Sequence, residues 1–161
     1  MSDLPATPCP PPRELLDDML YEPEPCLLEE ILEIDPDESL VRLTFGSDTG
    51  QPITSSQRVG PDHPAHVAGA LMIHLTGAAG FVHAYYVLGL RHRDGWVGFG
   101  THIHRAVFRK LITPGESFEM TCKATRVRPG AKRYMVRYDI EVRSGGARCY
   151  QGDQSAAWMR S

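Results

Sequence analysis

Residues 66–90, "HVAGALMIHLTGAAGFVHAYYVLGL", contain no Asp, Glu, Lys or Arg. Their apolar residues fall on every side of a helical wheel, and a helix without a polar face must be buried. The segment also holds Gly69, Ala70, Gly77, Ala78, Ala79 and Gly80. Glycines weaken a helix, so close approach of other groups has to compensate. The rest of the chain must therefore supply a cover for one long, slim, greasy rod.

The periodicity after residue 95 supplies it. Side chains alternate in "WVGFGTHIHRAVF" (96–108), "ESFEMTCKATRV" (116–127), "KRYMVRYDIEV" (132–142) and "RCYQGDQSAAWM" (148–159). Phe118, Met120, Cys122 and Ala124 share one face, as do Tyr134, Val136, Tyr138, Ile140 and Val142, which is the period of a half-buried strand. "RPGAK" and "RSGGA" supply turns between them. Upstream, "CLLEEILEIDPDESLVRLTF" (26–45) reads as a hairpin around "DPDES". "RELLDDML" (13–20) has helical spacing and is stopped by "YEPEP". Residues 46–65 are rich in Gly, Ser, Thr and Pro and read as a loop, and residues 1–12 as a flexible proline-rich tail. The expected fold is α+β, a curved antiparallel sheet wrapped around one long central helix, with residues 13–161 as a single domain.

Composition narrows the function. A net charge of −3 with interspersed signs gives no basic stripe for nucleic acid. Cys9, Cys26, Cys122 and Cys149 form no CxxC pair, so a zinc knuckle or redox motif is not expected. No signal peptide is recognised, and no stretch is read as long and apolar enough to span a bilayer; a cytoplasmic location and no membrane partner are the expectation. No GxSxG elbow is present, which sets a serine hydrolase aside.

Three histidines mark the helix and its approach. His63 and His66 stand at its entrance and His74 in its middle, eight residues past His66 and a little over two turns on. A neutral imidazole near pH 7 can act as a base or orient a water. The small residues around His74 leave space for a substrate. The first-turn amides near Gly69 point outward unpaired with partial positive charge and could stabilise an oxyanion. His102 and His104 form an HxH pair on a strand. No carboxylate follows to complete a metal set, so no metal or other cofactor is expected, and the pair is assigned to the sheet face, the dimer seam or a substrate tunnel. Arg105, Arg109, Lys110, Arg126 and Arg128 form a basic rim able to contact phosphates.

"VFRKLITPGESFEMTCKATRVR" (107–128) resembles the strand–turn–strand of hotdog-fold thioesterases and dehydratases, and "HPAHVAGALMIHLTGAAG" resembles their loop and central helix. In the dehydratases a histidine precedes Pro-Gly and a glutamate sits in the helix; here Ala68-Gly69 and His74 stand in those places. "EPEPC" (22–26), followed by the hairpin and the loop entering the helix, is similar to the FcoT-like fatty acyl thioesterases. That resemblance puts Glu24 and Gln57 where the family has active-site tyrosines, and Ala65 near the place of its asparagine. It implies an enzyme acting on acyl-CoA or acyl-carrier-protein thioesters, a homodimer or larger homo-oligomer. His74, His66, His63 and Glu24 are then its candidate catalytic residues, and Gly69, Ala70 and Gln57 its substrate contacts. Hydrolysis is one expected reaction. Some FcoT-like enzymes of lipopeptide and polyketide pathways instead add an amine such as glycine to an α,β-unsaturated thioester, a role Glu24 would suit. A hotdog dehydratase or hydratase and a non-catalytic acyl-binding protein are further alternatives.

Overall fold

The computed structural model describes residues 4–47 and 50–160. The order of elements is α1 (Arg13–Leu16), α2 (Pro23–Cys26), β1 (Leu28–Asp35), β2 (Leu40–Phe45), α3 (Pro52–Ser55), α4 (Gly69–His83), β3 (Trp96–Phe108), β4 (Phe118–Arg128), β5 (Arg133–Ser144) and β6 (Ala147–Arg160). One six-stranded antiparallel sheet runs β1-β2-β4-β5-β6-β3. The α+β fold read from the sequence is the observed one. The alternating faces are buried as expected: Met120, Cys122, Val136, Ile140 and Val142 are at most 1% exposed. Gly145 and Gly146, both with positive φ, make the two-residue turn from β5 to β6, which only glycine-like residues take readily. In the first hairpin the Asp35 carboxylate accepts from the Glu38 N–H at 2.9 Å, the turn chemistry that "DPDES" announces.

Five details depart from the sequence reading. The helix expected over 66–90 begins at Gly69, and Ala84–Leu88 continue it as a π-turn that Gly89 ends in the left-handed region, φ 67°. Taken together, Gly69–Leu88 has the length and mean hydropathy (1.3) of a bilayer span, contrary to the expectation that none exists, but 72% of its most apolar window is buried in this fold. The helix expected over 13–20 is a single turn, because the Asp18 carboxylate leaves it to accept the backbone N–H groups of His92 and Arg93 at 2.8 and 2.9 Å. The loop over 46–65 contains α3. Within the segment read as a tail, Cys9 exchanges two backbone hydrogen bonds with Ile31 at 2.8 and 3.0 Å.

The sheet covers only one side of α4. Leu71, Leu75, Ala79 and Val82 face it and are buried, packed in one core with Val41, Leu43, Phe45 and Met120. On the far side Ala70 and Gly77 are exposed and Ile73 and His74 half-buried. These four are spaced three to four residues apart, so they form one stripe along the helix.

The glycines separate two roles. A Cβ on Gly77 would meet no heavy atom within 4 Å, whereas one on Gly98 would lie 2.6 Å from the Trp158 ring. Gly77→Ala should therefore raise stability by up to about 1 kcal/mol in urea unfolding. Gly98→Ala should lower it by roughly 1–3 kcal/mol, the cost of overpacking.

Candidate active site

The exposed stripe of α4 opens onto a cavity of about 540 Å³. Ile73, His74, Gly77 and Phe81 form its helical wall; Gly98 to Ile103 of β3 and Tyr138, Gln154 and Trp158 of the sheet close the rest. Gly77 and Gly100 leave it open, since side chains there would occupy free space. Tyr21, from the turn before α2, packs edge to face on the His74 ring at 4.9 Å between centroids. The walls are mostly carbon, and few polar groups converge on them, the make-up of a pocket for an apolar ligand.

Two polar side chains of the helix line the cavity: Thr76, whose hydroxyl donates to the Ile73 carbonyl at 2.6 Å, and His74. The His74 Nε2 lies 3.0 Å from the Pro25 carbonyl oxygen. That oxygen can only accept, so Nε2 carries the proton and Nδ1 keeps the basic lone pair. The α2 turn thus fixes the tautomer of the imidazole, the arrangement by which a second group sets which nitrogen can act as a base.

The other candidate residues lie elsewhere. His63 donates from Nδ1 to the Arg58 carbonyl at 3.0 Å, and His66 from Nδ1 to the Pro64 carbonyl at 2.8 Å. Their rings meet edge to face at 5.1 Å, with both Nε2 atoms left over. Gln57 grips the His66 backbone at both ends, its Nε2 donating to the carbonyl at 2.7 Å and its Oε1 accepting from the N–H at 3.2 Å. It therefore positions the loop that enters α4. Gly69 opens the helix after Ala68, which offers no side-chain cap, and the Phe108 ring lies 3.2 Å from where its Cβ would be. Neither it nor Ala70 lines the cavity, although Ala70 belongs to the same stripe as His74. Glu24 is exposed and borders a shallow cleft with Arg13 and Asp17, which adjoins the cavity at Met19, Leu20 and Tyr21. Arg105 and Arg126 flank a shallow depression with Asp139 and Asp153.

Sequence reasoning did not single out Tyr21, Gln154 or Trp158 as cavity residues, nor the network behind Tyr138. His83 is fully buried; its Nε2 lies 3.0 Å from the Ser39 hydroxyl and its Nδ1 3.3 Å from the Tyr138 hydroxyl. Burial pushes its pKa down to about 4, with the Ser39 contact opposing, and burial holds the Tyr138 hydroxyl well above its ordinary value. Both are neutral at pH 7. Burial also raises the thiols, Cys26 to about 11 and Cys122 higher still, so neither offers a thiolate nucleophile. Among the described residues no three His, Cys, Asp or Glu side chains converge as a metal site.

No protein-family model and no curated protein sequence matches the chain. Solved structures do. A variant of thioesterase PA1618 from Pseudomonas aeruginosa matches with TM-score 0.61 and 14% identity, over 94% of this chain and 96% of that one. The dehydratase heterocomplex ApeI:P from Xenorhabdus doucetiae matches with TM-score 0.64 and 14% identity, over 91% and 90%. A variant of the fluoroacetyl-CoA-specific thioesterase FlK, in complex with fluoroacetate and CoA, matches with TM-score 0.58 and 17% identity, over 75% and 92%. Sheet, helix and likenesses together define a hotdog-fold protein.

The His83 network has a pH signature. A histidine held near pKa 4 in the folded state and free to titrate near 6.5 when unfolded binds its proton preferentially in the unfolded chain. Stability is therefore complete above about pH 6.5 and is lost as pH falls towards 4. Between pH 7 and 5 this loss should be on the order of 2 kcal/mol. Urea unfolding of His83→Gln should show that much less pH dependence than the parent protein.

Proposed function

We propose that this chain is an FcoT-like hotdog thioesterase, a cytoplasmic homodimer that hydrolyses fatty acyl thioesters of coenzyme A or acyl carrier protein. The observation that carries the proposal is His74: a tautomer-fixed imidazole on the wall of an apolar cavity, one turn beyond the unpaired amides of a buried helix. In this reading the acyl tail enters the cavity past Gly77. The thioester carbonyl lies over the first turn, where the Gly69 and Ala70 N–H groups stabilise the developing oxyanion. The Nδ1 atom of His74 takes a proton from the attacking water and returns it to the departing thiolate. His63 and His66, held by Gln57, flank the entrance, and the basic rim meets the phosphates of the carrier.

Three further features support the reading. The thioesterases PA1618 and FlK share the fold. The "EPEPC" segment folds into the turn whose Pro25 carbonyl orients His74, which gives that FcoT-like element a task. The two edges of the sheet are unlike. β1 is partly covered by the Cys9 segment, whereas β3 pairs only with β6 among the described residues and exposes Phe99, Ile103 and Phe108 at 54% each. A long bare edge of this kind calls for another strand, and a second copy supplies one. The absence of Glu24 from the cavity lining favours hydrolysis over amine addition, which would need that carboxylate beside the substrate.

The test is thiol release from saturated and α,β-unsaturated acyl thioesters, with and without glycine. Hydrolysis releases thiol without glycine, and His74→Ala should lower kcat by roughly 10²- to 10⁴-fold while Glu24→Ala leaves it unchanged. Gly77→Leu, which fills the cavity, should exclude long acyl chains before short ones. Loss of enoyl absorbance that requires glycine, without thiol release, would replace hydrolysis by conjugate addition. Full activity in His74→Ala would remove the proposed site.

A further inference from the structure

One position on the inner face of the sheet breaks its apolar pattern. Gln154 of β6 is 9% exposed and lines the cavity. It stands directly across from Tyr138 of β5. A buried amide costs free energy unless its hydrogen bonds are made, and the strand is built to hold this one. Tyr150, Gly152 and Gln154 alternate onto the same face. The Tyr150 ring lies back along the strand, and the Gln154 Nε2 donates to its hydroxyl at 3.1 Å. Gly152 makes the room, because a Cβ there would lie 2.5 Å from that hydroxyl.

One end of the amide is thereby held and the other is left open. The Gln154 Oε1 has no partner among the described residues, and it is not among the partnerless atoms that the fold seals off. The other buried polar groups of the wall are taken or closed. The Thr76 hydroxyl donates to the Ile73 carbonyl, the Tyr138 hydroxyl faces the His83 Nδ1, and the Trp158 ring nitrogen is sealed from solvent.

We propose that the open end of Gln154 binds a hydroxyl group on the acyl chain, at a carbon remote from the thioester, so that the cavity selects hydroxylated acyl thioesters over plain ones. The proposal rests on the thioesterase reading above and names its substrate class. A plain alkyl tail drawn across the amide displaces water from it and returns no hydrogen bond, whereas a hydroxyl returns one. A hydroxyl both donates and accepts, so it pairs with either end of an amide. Sites built to hydrogen-bond a substrate hydroxyl discriminate strongly against the analogue that lacks it. The remote position follows from the helix. The Tyr138 ring beside Gln154 lies against Gly80, 3.7 Å from where a Cβ would be. Gly80 is six residues past His74, about 9 Å further along α4, on the side away from the first turn.

The test is calorimetric binding, on the full chain, of non-hydrolysable thioether analogues of decanoyl-coenzyme A, unsubstituted or hydroxylated at each successive carbon. A hydroxyl at one remote carbon should tighten binding about 10-fold. Gln154→Met, which keeps the length of the side chain and loses the amide, should abolish that gain, with circular dichroism reporting that the fold is kept. Where this variant does not fold, the hydroxyl series on the parent chain decides alone. An unsubstituted analogue bound as tightly as every hydroxylated one overturns the proposal. So does a gain confined to carbons 2 and 3, or a preference that survives in Gln154→Met. Thiol release from the matching thioesters separates this proposal from hydrolysis itself. Release from plain and hydroxylated chains at equal kcat/KM keeps the thioesterase and removes the role of Gln154. A hydroxyl preference in binding without any thiol release keeps Gln154 as the selective group and removes the thioesterase. A chain that binds none of the analogues overturns both.

Discussion

A helix with no polar face has to be covered all round, and one curved sheet can reach only one side of it. Everything distinctive in this molecule follows from that mismatch. Leu71, Leu75, Ala79 and Val82 are satisfied by β2, β4 and β5. The opposite stripe, Ala70–Ile73–His74–Gly77, is left only partly covered, and Ile73, His74 and Gly77 border a cavity whose other walls include β3. Small residues make the uncovered stripe tolerable, because Gly77 and Ala70 expose little carbon. They also leave the space that a tail-shaped ligand can fill. The part of the helix that the fold leaves uncovered is the part best suited to bind.

The polar groups inside this arrangement are few, and each is handled differently. Burying a polar group without a partner costs of order 1–3 kcal/mol. His83 avoids that cost with two hydroxyls, one on each ring nitrogen, and stays neutral. His74 spends one nitrogen on the Pro25 carbonyl and keeps the other at the cavity wall. The contrast separates a structural histidine from a candidate base on one helix, nine residues apart. Saturation of both nitrogens marks the first, and a free lone pair facing open space marks the second.

This distinction was not legible in the sequence, where both residues are histidines in an apolar run. The strands were legible, because alternation such as Phe118, Met120, Cys122 and Ala124 is a local signal that burial on one face imposes directly. The core helix was legible for the same reason. What local pattern could not carry was long-range pairing. Asp18 ends α1 early to serve the backbone of residues 92 and 93. Gln57 folds back on His66. Ser39, in a hairpin turn, meets His83 across the core. The candidates His63, His66, Gly69 and His74 are near one another in sequence. At 1.5 Å of rise per residue, a straight helix instead spreads its residues along a line, so the candidates are strung from the loop through the first turn to the cavity.

That spreading has a mechanistic consequence. A compact substrate would touch one of these groups at a time. In the proposed reading a thioester with a long tail would touch them in series: carrier at the loop, carbonyl between the first turn and His74, acyl chain at Gly77 and beyond. In that reading the binding energy of the tail, about 0.8 kcal/mol for each methylene removed from water, would be collected at Gly77 and Phe81. It would act at the carbonyl by holding it against the amides. Only an interaction that fixes the reacting bond in place converts such remote burial into rate. Carriage of the first turn and the cavity wall on one helix, Gly69–His83, would provide it, since continuous helical geometry keeps the two at one fixed distance. Shortening the acyl chain should therefore lower kcat as well as raise KM, because a tail that no longer reaches the cavity no longer sets the position of the bond being cleaved.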